Sequence, residues 1–202
     1  MKRYIYLISP PKIRGVNFYK ELNNVLKTNK VKYFQLRLKK ISILNLLKIS
    51  KKIKKIVKKN KVKLIINDNP IVAKMINADG CHIGQKDIDF ISCRKILGKN
   101  KIIGMTCHNS KKLALKAKRN GASYIAFGSF FKSNTKKTAY KANLALLRWA
   151  KKKINMPTVA IGGINNSNYK KVLTNGANLI ACSSYIWNNK KLDPVSAINK
   201  FK

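Results

Sequence analysis

Only six acidic residues stand against 45 lysines and arginines in this 202-residue chain, so the position of each carboxylate is informative. Two of them close short apolar runs. Leu64-Ile65-Ile66 is followed by Asn67-Asp68, and Cys81-His82-Ile83 by Gly84, Gln85 and then Asp87. The stretch from Lys63 to Asp87 reads as strand, short helix, strand. If the two strands are parallel neighbours, Asp68 and Asp87 arrive at one end of a sheet, where they either repel or share a cation. Hard oxygen ligands of this kind suit Mg2+, which takes one or two carboxylates and completes its shell with water and substrate phosphate. The competing reading makes both residues helix caps, Asp68 for a helix starting near Pro70 and Asp87 for one starting near Ile88, since Asp is favoured there. Spacing alone leaves both readings open.

The elements that would carry these groups alternate along the whole chain. Strands are expected at Tyr4–Ser9, Tyr33–Leu38, 64–66, 81–83, Ile102–Thr106, Tyr124–Gly128, Thr158–Gly163 and Leu179–Ser184. Helices are expected at Phe18–Leu26, Leu44–Val57, from Pro70, and at Phe90–Leu97, Ser110–Asn120, Lys141–Lys152, Asn166–Leu173 and Pro194–Phe201. Ile43, Leu46, Leu47, Ile49, Ile53 and Ile56 keep helical spacing among lysines. Short, continuously apolar strands are what a parallel sheet covered by helices requires. Eight such units, with no linker between them, predict a single compact (β/α)8 TIM barrel over residues 1–202, an α/β fold. A doubly wound open sheet is the alternative, but the first strand–helix turn lacks a glycine fingerprint.

Barrel chemistry sits at the carboxyl ends of the strands. Those ends carry Gln35, Arg37 and Lys39; Asn67 and Asp68; His82, Gln85 and Asp87; Thr106 and His108; Ser133, Thr135 and Lys136 in the sixth loop; Gly162-Gly163; and Ser183-Ser184. Arg37 can grip a phosphate with a planar fork, whereas Lys39 and Lys136 act as point charges. The IGGI turn, Ile161–Ile164, lets backbone N–H groups come close to a ligand. Lys39 and Lys136 also read as ordinary surface lysines, Gly162-Gly163 as a plain tight turn, His82 as a satisfied residue under a loop, and His108 as a helix start. What distinguishes them is their recurrence: groups suited to anions and metals fall at one end of successive apolar strands.

The formal charge of +39 should draw anionic small molecules into any cleft. Lysines dominate and are spread over every expected helix, as a solvated surface would have them, and not gathered into a nucleic-acid stripe. An RNA-associated barrel without catalysis would show tight, salt-sensitive RNA binding, but no RNA motif supports it. Cys81, Cys93, Cys107 and Cys182 form no CxxC pair and read as reduced and buried. No run approaches a membrane span, and the first residues, MKRYIYLISPPK, have too short an apolar block for a signal peptide. A cytoplasmic protein acting on small molecules is the expectation, with no nucleic-acid or membrane partner. Association with further copies of itself is left open.

Seven blocks then bear comparison with a known family: QLRLK (Gln35–Lys39), IIND (Ile65–Asp68), DGCHIGQKD (Asp79–Asp87), IIGMTCH (Ile102–His108), YIAFGSFFKSNTK (Tyr124–Lys136), VAIGGI (Val159–Ile164) and IACSSYI (Ile180–Ile186). In order and spacing they resemble the thiamine-phosphate synthase family over nearly the whole chain. The HxGQxD block and the TxTK-like loop are the specific parts. The resemblance implies a transferase that joins hydroxymethylpyrimidine diphosphate to hydroxyethylthiazole phosphate and releases pyrophosphate. It implies Mg2+ on Asp68 and Asp87, and the diphosphate on Arg37, Lys39, Asn67 and Lys136. Gln35 and Thr106 would lie near the pyrimidine, and Ser133 and Thr135 in the thiazole/diphosphate loop. Gly162, Gly163, Ser183 and Ser184 would cradle the thiazole phosphate. Arg37, Lys39, Lys136 and Thr106 would be the catalytic groups.

Three positions depart from the family pattern. Leu38 stands where an acidic residue is usual, which could loosen the Arg37/Lys39 pair. Thr106 replaces a common Ser, and Ser133 replaces the first Thr of the loop, both keeping the hydroxyl. A sister group with the same fold, the thiazole tautomerases, needs no metal or diphosphate groups and transfers protons through a histidine, a part His108 could play. The presence of Asp68, Asp87, Arg37, Lys39 and Lys136 favours the synthase.

Overall fold

A computed structural model of the chain describes residues 3–13, 15–132 and 139–202. Its strands are β1 (Ile5–Ile8), β2 (Val31–Leu36), β3 (Lys63–Asn67), β4 (Gly80–Ile83), β5 (Ile102–His108), β6 (Tyr124–Gly128), β7 (Thr158–Ile161) and β8 (Leu179–Cys182). Each pairs in parallel with the next, and β1 pairs with β8, so the sheet closes into an eight-stranded barrel. The helices are α1 (Asn17–Lys27), α2 (Ile43–Lys59), α3 (Pro70–Met75), α4 (Phe90–Leu97), α5 (Lys111–Arg119), α6 (Leu144–Lys153), α7 (Tyr169–Thr174), α8 (Ser184–Trp187) and α9 (Pro194–Asn199). This is the (β/α)8 architecture expected from the alternation of elements.

The period of two along a strand sorts its side chains into two cores. Ile5, Leu7, Phe34, Leu36, Leu64, Ile66, Cys81, Ile83, Ile103, Met105, Ile125 and Phe127 point outward and pack under the helices. Tyr6, Ile8, Tyr124, Ala126, Val159, Leu179 and Ala181 fill the interior, with Tyr33, Ile102 and Ile161 against them. Helix α2 shows how the lysines are accommodated. Leu46, Ser50, Ile53 and Val57 form its buried stripe, while Lys51, Lys52, Lys55, Lys58 and Lys59 face solvent. The four cysteines are free and buried. Among the described residues, no helix is long and apolar enough to cross a membrane.

At the amino-terminal end of the barrel, Asp79, just before β4, ties that strand to the start of β3. Its Oδ2 accepts from the Leu64 N–H at 2.8 Å, and Oδ1 pairs with the Lys63 ammonium at 3.0 Å. This carboxylate is therefore structural and lies at the opposite end from Asp68 and Asp87. The short helix α8 was not expected from the sequence. Four residues carry no readable periodicity, and tertiary contacts hold them: Ile186 is fully buried, and the Trp187 indole N–H donates to the Ile8 carbonyl at 2.7 Å.

Candidate active site

Neither Asp68 nor Asp87 caps a helix. Asn69 caps α3, its side-chain oxygen accepting from the Val72 N–H at 2.9 Å. Asp89 caps α4, accepting from the Ile91 and Ser92 N–H groups. The chain reaches Asn69 by passing Asp68 through the left-handed region at φ 61°, a conformation Asp tolerates better than most residues. That turn aims the Asp68 carboxylate across the rim. The Lys39 ammonium lies 3.5 Å from its Oδ2, and the Asp87 carboxyl lies within hydrogen-bonding reach. Asp87 is held in its own turn, accepting from the Gly84 N–H at 2.8 Å.

The two carboxyls sense each other. Asp68 titrates above its ordinary range, through burial first and the neighbouring Asp87 next, with Lys39 pulling the other way. A raised acid pKa means that the ionised form is disfavoured in the folded state, so Asp68 costs stability at neutral pH and costs less as pH falls through the raised value. Asp68→Asn is therefore expected to raise the Tm of EDTA-treated protein at pH 7 in a scanning fluorimetry experiment. A lower Tm would mean that the ion pair with Lys39 outweighs the crowding by Asp87.

Below this rim, the inward positions of adjacent strands carry a buried polar chain. Gln35 Nε2 donates to Tyr6 Oη at 3.1 Å, Tyr6 Oη lies 2.7 Å from Tyr124 Oη, and Tyr124 Oη lies 2.9 Å from His82 Nδ1. His82 Nε2 is 2.8 Å from Thr106 Oγ1. Burial above all pushes the His82 imidazole down to about 4; Asp87 pulls it up and Arg37 pushes it down, so the ring is neutral at pH 7. Burial also raises the Tyr6 and Tyr124 hydroxyls, which stay protonated. Gln35, His82, Thr106 and Tyr124 line a cavity of about 40 Å³.

Gly104 makes room for this chain, because a Cβ there would lie 1.9 Å from Tyr124 Cζ. Tyr124 is pinned by its two hydroxyl contacts and by stacking on Tyr33 and His82, at centroid distances of 5.8 and 5.6 Å. Gly104→Ala should thus overpack the barrel by about 2–3 kcal/mol, which for this size is a Tm loss of roughly 5–10 °C. Thermal unfolding followed by near-ultraviolet circular dichroism checks this, and an unchanged Tm would show that the ring can move.

Arg37 follows β2, its N–H donating to Ser9 Oγ at 3.0 Å while that hydroxyl faces the Arg37 carbonyl at 3.3 Å. Ser183 Oγ donates to the Ser9 carbonyl at 3.1 Å, so Ser9 ties the β2 and β8 ends together. Leu38, also beyond the end of β2, packs against the helix-facing core. Asn67 ends β3 and pairs in register with His82. The Gln85 amide donates to the Thr106 carbonyl. Ser184 opens α8. His108 ends β5 at φ 50° with its ring stacked on Tyr140 at 4.0 Å, and does not begin a helix.

Gly162 and Gly163 have positive φ, and a Cβ on them would strike Ser129 Oγ and the Lys132 carbonyl, each at 2.2 Å. These glycines therefore accommodate the segment after β6, whose Phe130 and Phe131 N–H groups donate to the Ile161 and Gly162 carbonyls. Ser133, Thr135 and Lys136 lie outside the described residues.

Tyr6, Tyr124 and Ser9 had not been singled out from the sequence. The available signal was chemical: a tyrosine inside an aliphatic strand needs a partner for its hydroxyl. Among the described residues, no group of three or more His, Cys, Asp or Glu is placed to hold a metal. The Asp68–Asp87 pair nonetheless suits a hard divalent ion that takes the rest of its shell from water and phosphate. It supplies two oxygen-bearing groups already crowded together, and a cation between them would relieve that crowding.

A closed parallel barrel with its polar groups gathered at the carboxyl ends of the strands defines a (β/α)8 barrel enzyme. Residues 5–186 match the family model described as thiamine monophosphate synthase. The chain is 59% identical over 201 residues to the thiamine-phosphate synthase of Pelagibacter ubique, covering 100% of this chain and 97% of that one. It is 39% identical over 189 residues to that of Clostridium acetobutylicum, covering 93% and 89%. The solved thiamine phosphate pyrophosphorylase from Pyrococcus furiosus superposes with a TM-score of 0.86 at 26% identity, covering 98% of this chain and 93% of that one. The chain belongs to the thiamine monophosphate synthase family and is a transferase.

Proposed function

We propose that this protein joins hydroxymethylpyrimidine diphosphate to hydroxyethylthiazole phosphate, giving thiamine phosphate and pyrophosphate. The observation that carries the reading is the rim: the crowded carboxylates of Asp68 and Asp87, with Lys39 against Asp68, stand at the strand ends that also carry the uncharged Gln35 and Thr106. Asp68 and Asp87 would hold Mg2+, which when bound neutralises diphosphate charge. Arg37, Lys39, Asn67 and Lys136 bind the diphosphate and stabilise it as it leaves with the electron pair of the methylene C–O bond. Gln35 and Thr106 orient the pyrimidine, whose electron-rich ring stabilises the resulting methylene cation. Ser133 and Thr135, by the family resemblance, would belong to the thiazole/diphosphate loop. Gly162, Gly163, Ser183 and Ser184 hold the thiazole phosphate so that the ring nitrogen donates its lone pair to the cation and forms the new C–N bond. No protein nucleophile or strong base is required, and catalysis is charge stabilisation plus positioning.

The setting we infer is cytoplasmic, with small-molecule substrates and neither nucleic acid nor membrane as a partner. Purified protein, both substrates and Mg2+ should yield thiamine phosphate by mass spectrometry. Absence of product, with a known synthase active under the same conditions, would reject the proposal.

A further inference from the structure

The hydrogen-bonded chain inside the barrel runs from Gln35 to Thr106, and its three inner members, Tyr6, Tyr124 and His82, are not used by the reaction as written above. Each hydroxyl has one proton to give, and so has the neutral imidazole. With successive contacts of 3.1, 2.7, 2.9 and 2.8 Å, such a chain has two self-consistent polarities. The orientation of the Gln35 amide selects between them: Nε2, which donates and cannot accept, faces Tyr6, and Oε1 does not. Gln35 Nε2 gives a proton to Tyr6 Oη. For every buried hydroxyl proton in the chain to find an acceptor within it, Tyr6 then gives its proton to Tyr124, and Tyr124 its own to His82 Nδ1. His82 carries its proton on Nε2 and gives it to Thr106 Oγ1. The Thr106 proton is left over and is free to point into the cavity that Gln35 and Thr106 both line.

We propose that Tyr6, Tyr124 and His82 are positioning residues that relay the polarity of the Gln35 amide to Thr106. The floor of the cleft then presents the Thr106 hydroxyl as a donor and Gln35 Oε1 as an acceptor to a planar aminopyrimidine edge. The ring nitrogen accepts from Thr106 and the exocyclic amine donates to Gln35. Reversing the chain would exchange the two roles and turn the ring over, carrying its reactive methylene from one side of the cavity to the other. The choice of ligand rests on the synthase reading, whereas the polarity does not.

The chain has two histidines, so the tautomer of His82 can be read in the whole protein by long-range proton–nitrogen correlation after 15N labelling, with His108→Asn assigning the other signal. The expected pattern at pH 7.5 is a neutral ring protonated on Nε2. A ring protonated on Nδ1, or one exchanging between tautomers, would overturn the proposal. Gln35→Glu places a carboxylate, which can only accept, at the head of the chain. It should move the His82 proton to Nδ1, and an unchanged tautomer would count against the relay. Tyr124→Phe cuts the chain in the middle. It should raise the KM for the pyrimidine diphosphate at least tenfold and leave the KM for the thiazole phosphate within twofold. Equal changes in both constants would reduce Tyr124 to a packing residue and defeat the proposal. No turnover by the unmodified protein would instead reject the synthase reading, and the two failures are distinct because the tautomer is read without substrate.

Discussion

Asp87→Asn is expected to lower Mg2+-dependent formation of thiamine phosphate by about 10²–10³-fold, the loss typical of removing one group that stabilises developing charge. Asparagine keeps the shape of the side chain and an oxygen that can accept from the Gly84 N–H, so the turn after β4 should survive. What disappears is one of the two charges at the rim. Steady-state kinetics across a Mg2+ titration separates the possibilities. A variant that regains its rate at high Mg2+ has lost affinity for the ion, and one that does not has lost charge stabilisation in the transition state. The Asp68 carboxyl, relieved of its neighbour, should also titrate lower than in the parent protein. More than a tenth of the parent rate at ordinary Mg2+ would remove Asp87 from the metal assignment.

The second large effect is on stability. His82 stays neutral in the folded protein down to about pH 4, whereas in the unfolded chain it takes up a proton near the ordinary value of 6.5. Between those two pH values the unfolded state binds more protons, so stability falls as pH falls. The full span corresponds to about 3 kcal/mol, and the part between pH 7 and pH 5 to about 2 kcal/mol. The usual contribution of carboxylates to acid denaturation is small in a chain with six of them, and Asp68 works in the opposite sense. Urea unfolding at pH 7 and pH 5 should therefore show a drop in the parent protein that is largely absent from His82→Gln. The comparison is between pH slopes and not absolute stabilities, because His82→Gln also disturbs the contacts to Tyr124 and Thr106. Parallel slopes would show that the imidazole is reached by water and protonates in the folded state.

The barrel itself was readable because each strand is a short apolar run and each helix has a periodic stripe among lysines. Those signals are local, and α2 and β3 follow from them within a few residues. The helix ends were less legible. Asp68 and Asn69 stand side by side before α3, and Asp87 lies two residues before Asp89 at the start of α4, with either member of each pair a plausible cap. Propensity does not separate them; the left-handed turn at Asp68 and the Gly84 contact of Asp87 do. The chain from Gln35 to Thr106 was half visible. Its two ends lie in recognisable blocks, but Tyr6 and Tyr124 looked like any other core aromatics, and their meeting joins residues 118 apart in sequence. At Gly162 and Gly163 the fold adds a demand for glycine that the turn alone does not reveal, since a Cβ on either would strike the segment after β6.

Taken alone, the amino-acid order determined the count and sequence of the strands and of every helix but α8, the closure they imply, and the roster of polar groups at one end of the strands. Those properties come from periodicity and residue type, which act over a few neighbouring positions. Only the folded chain decided that Asp68 and Asp87 face each other instead of capping helices, and that a tyrosine pair links Gln35 to His82. It also decided that Leu38 packs against the helix-facing core. These outcomes depend on register between strands and on φ at single residues, and both are settled when distant segments pack against one another.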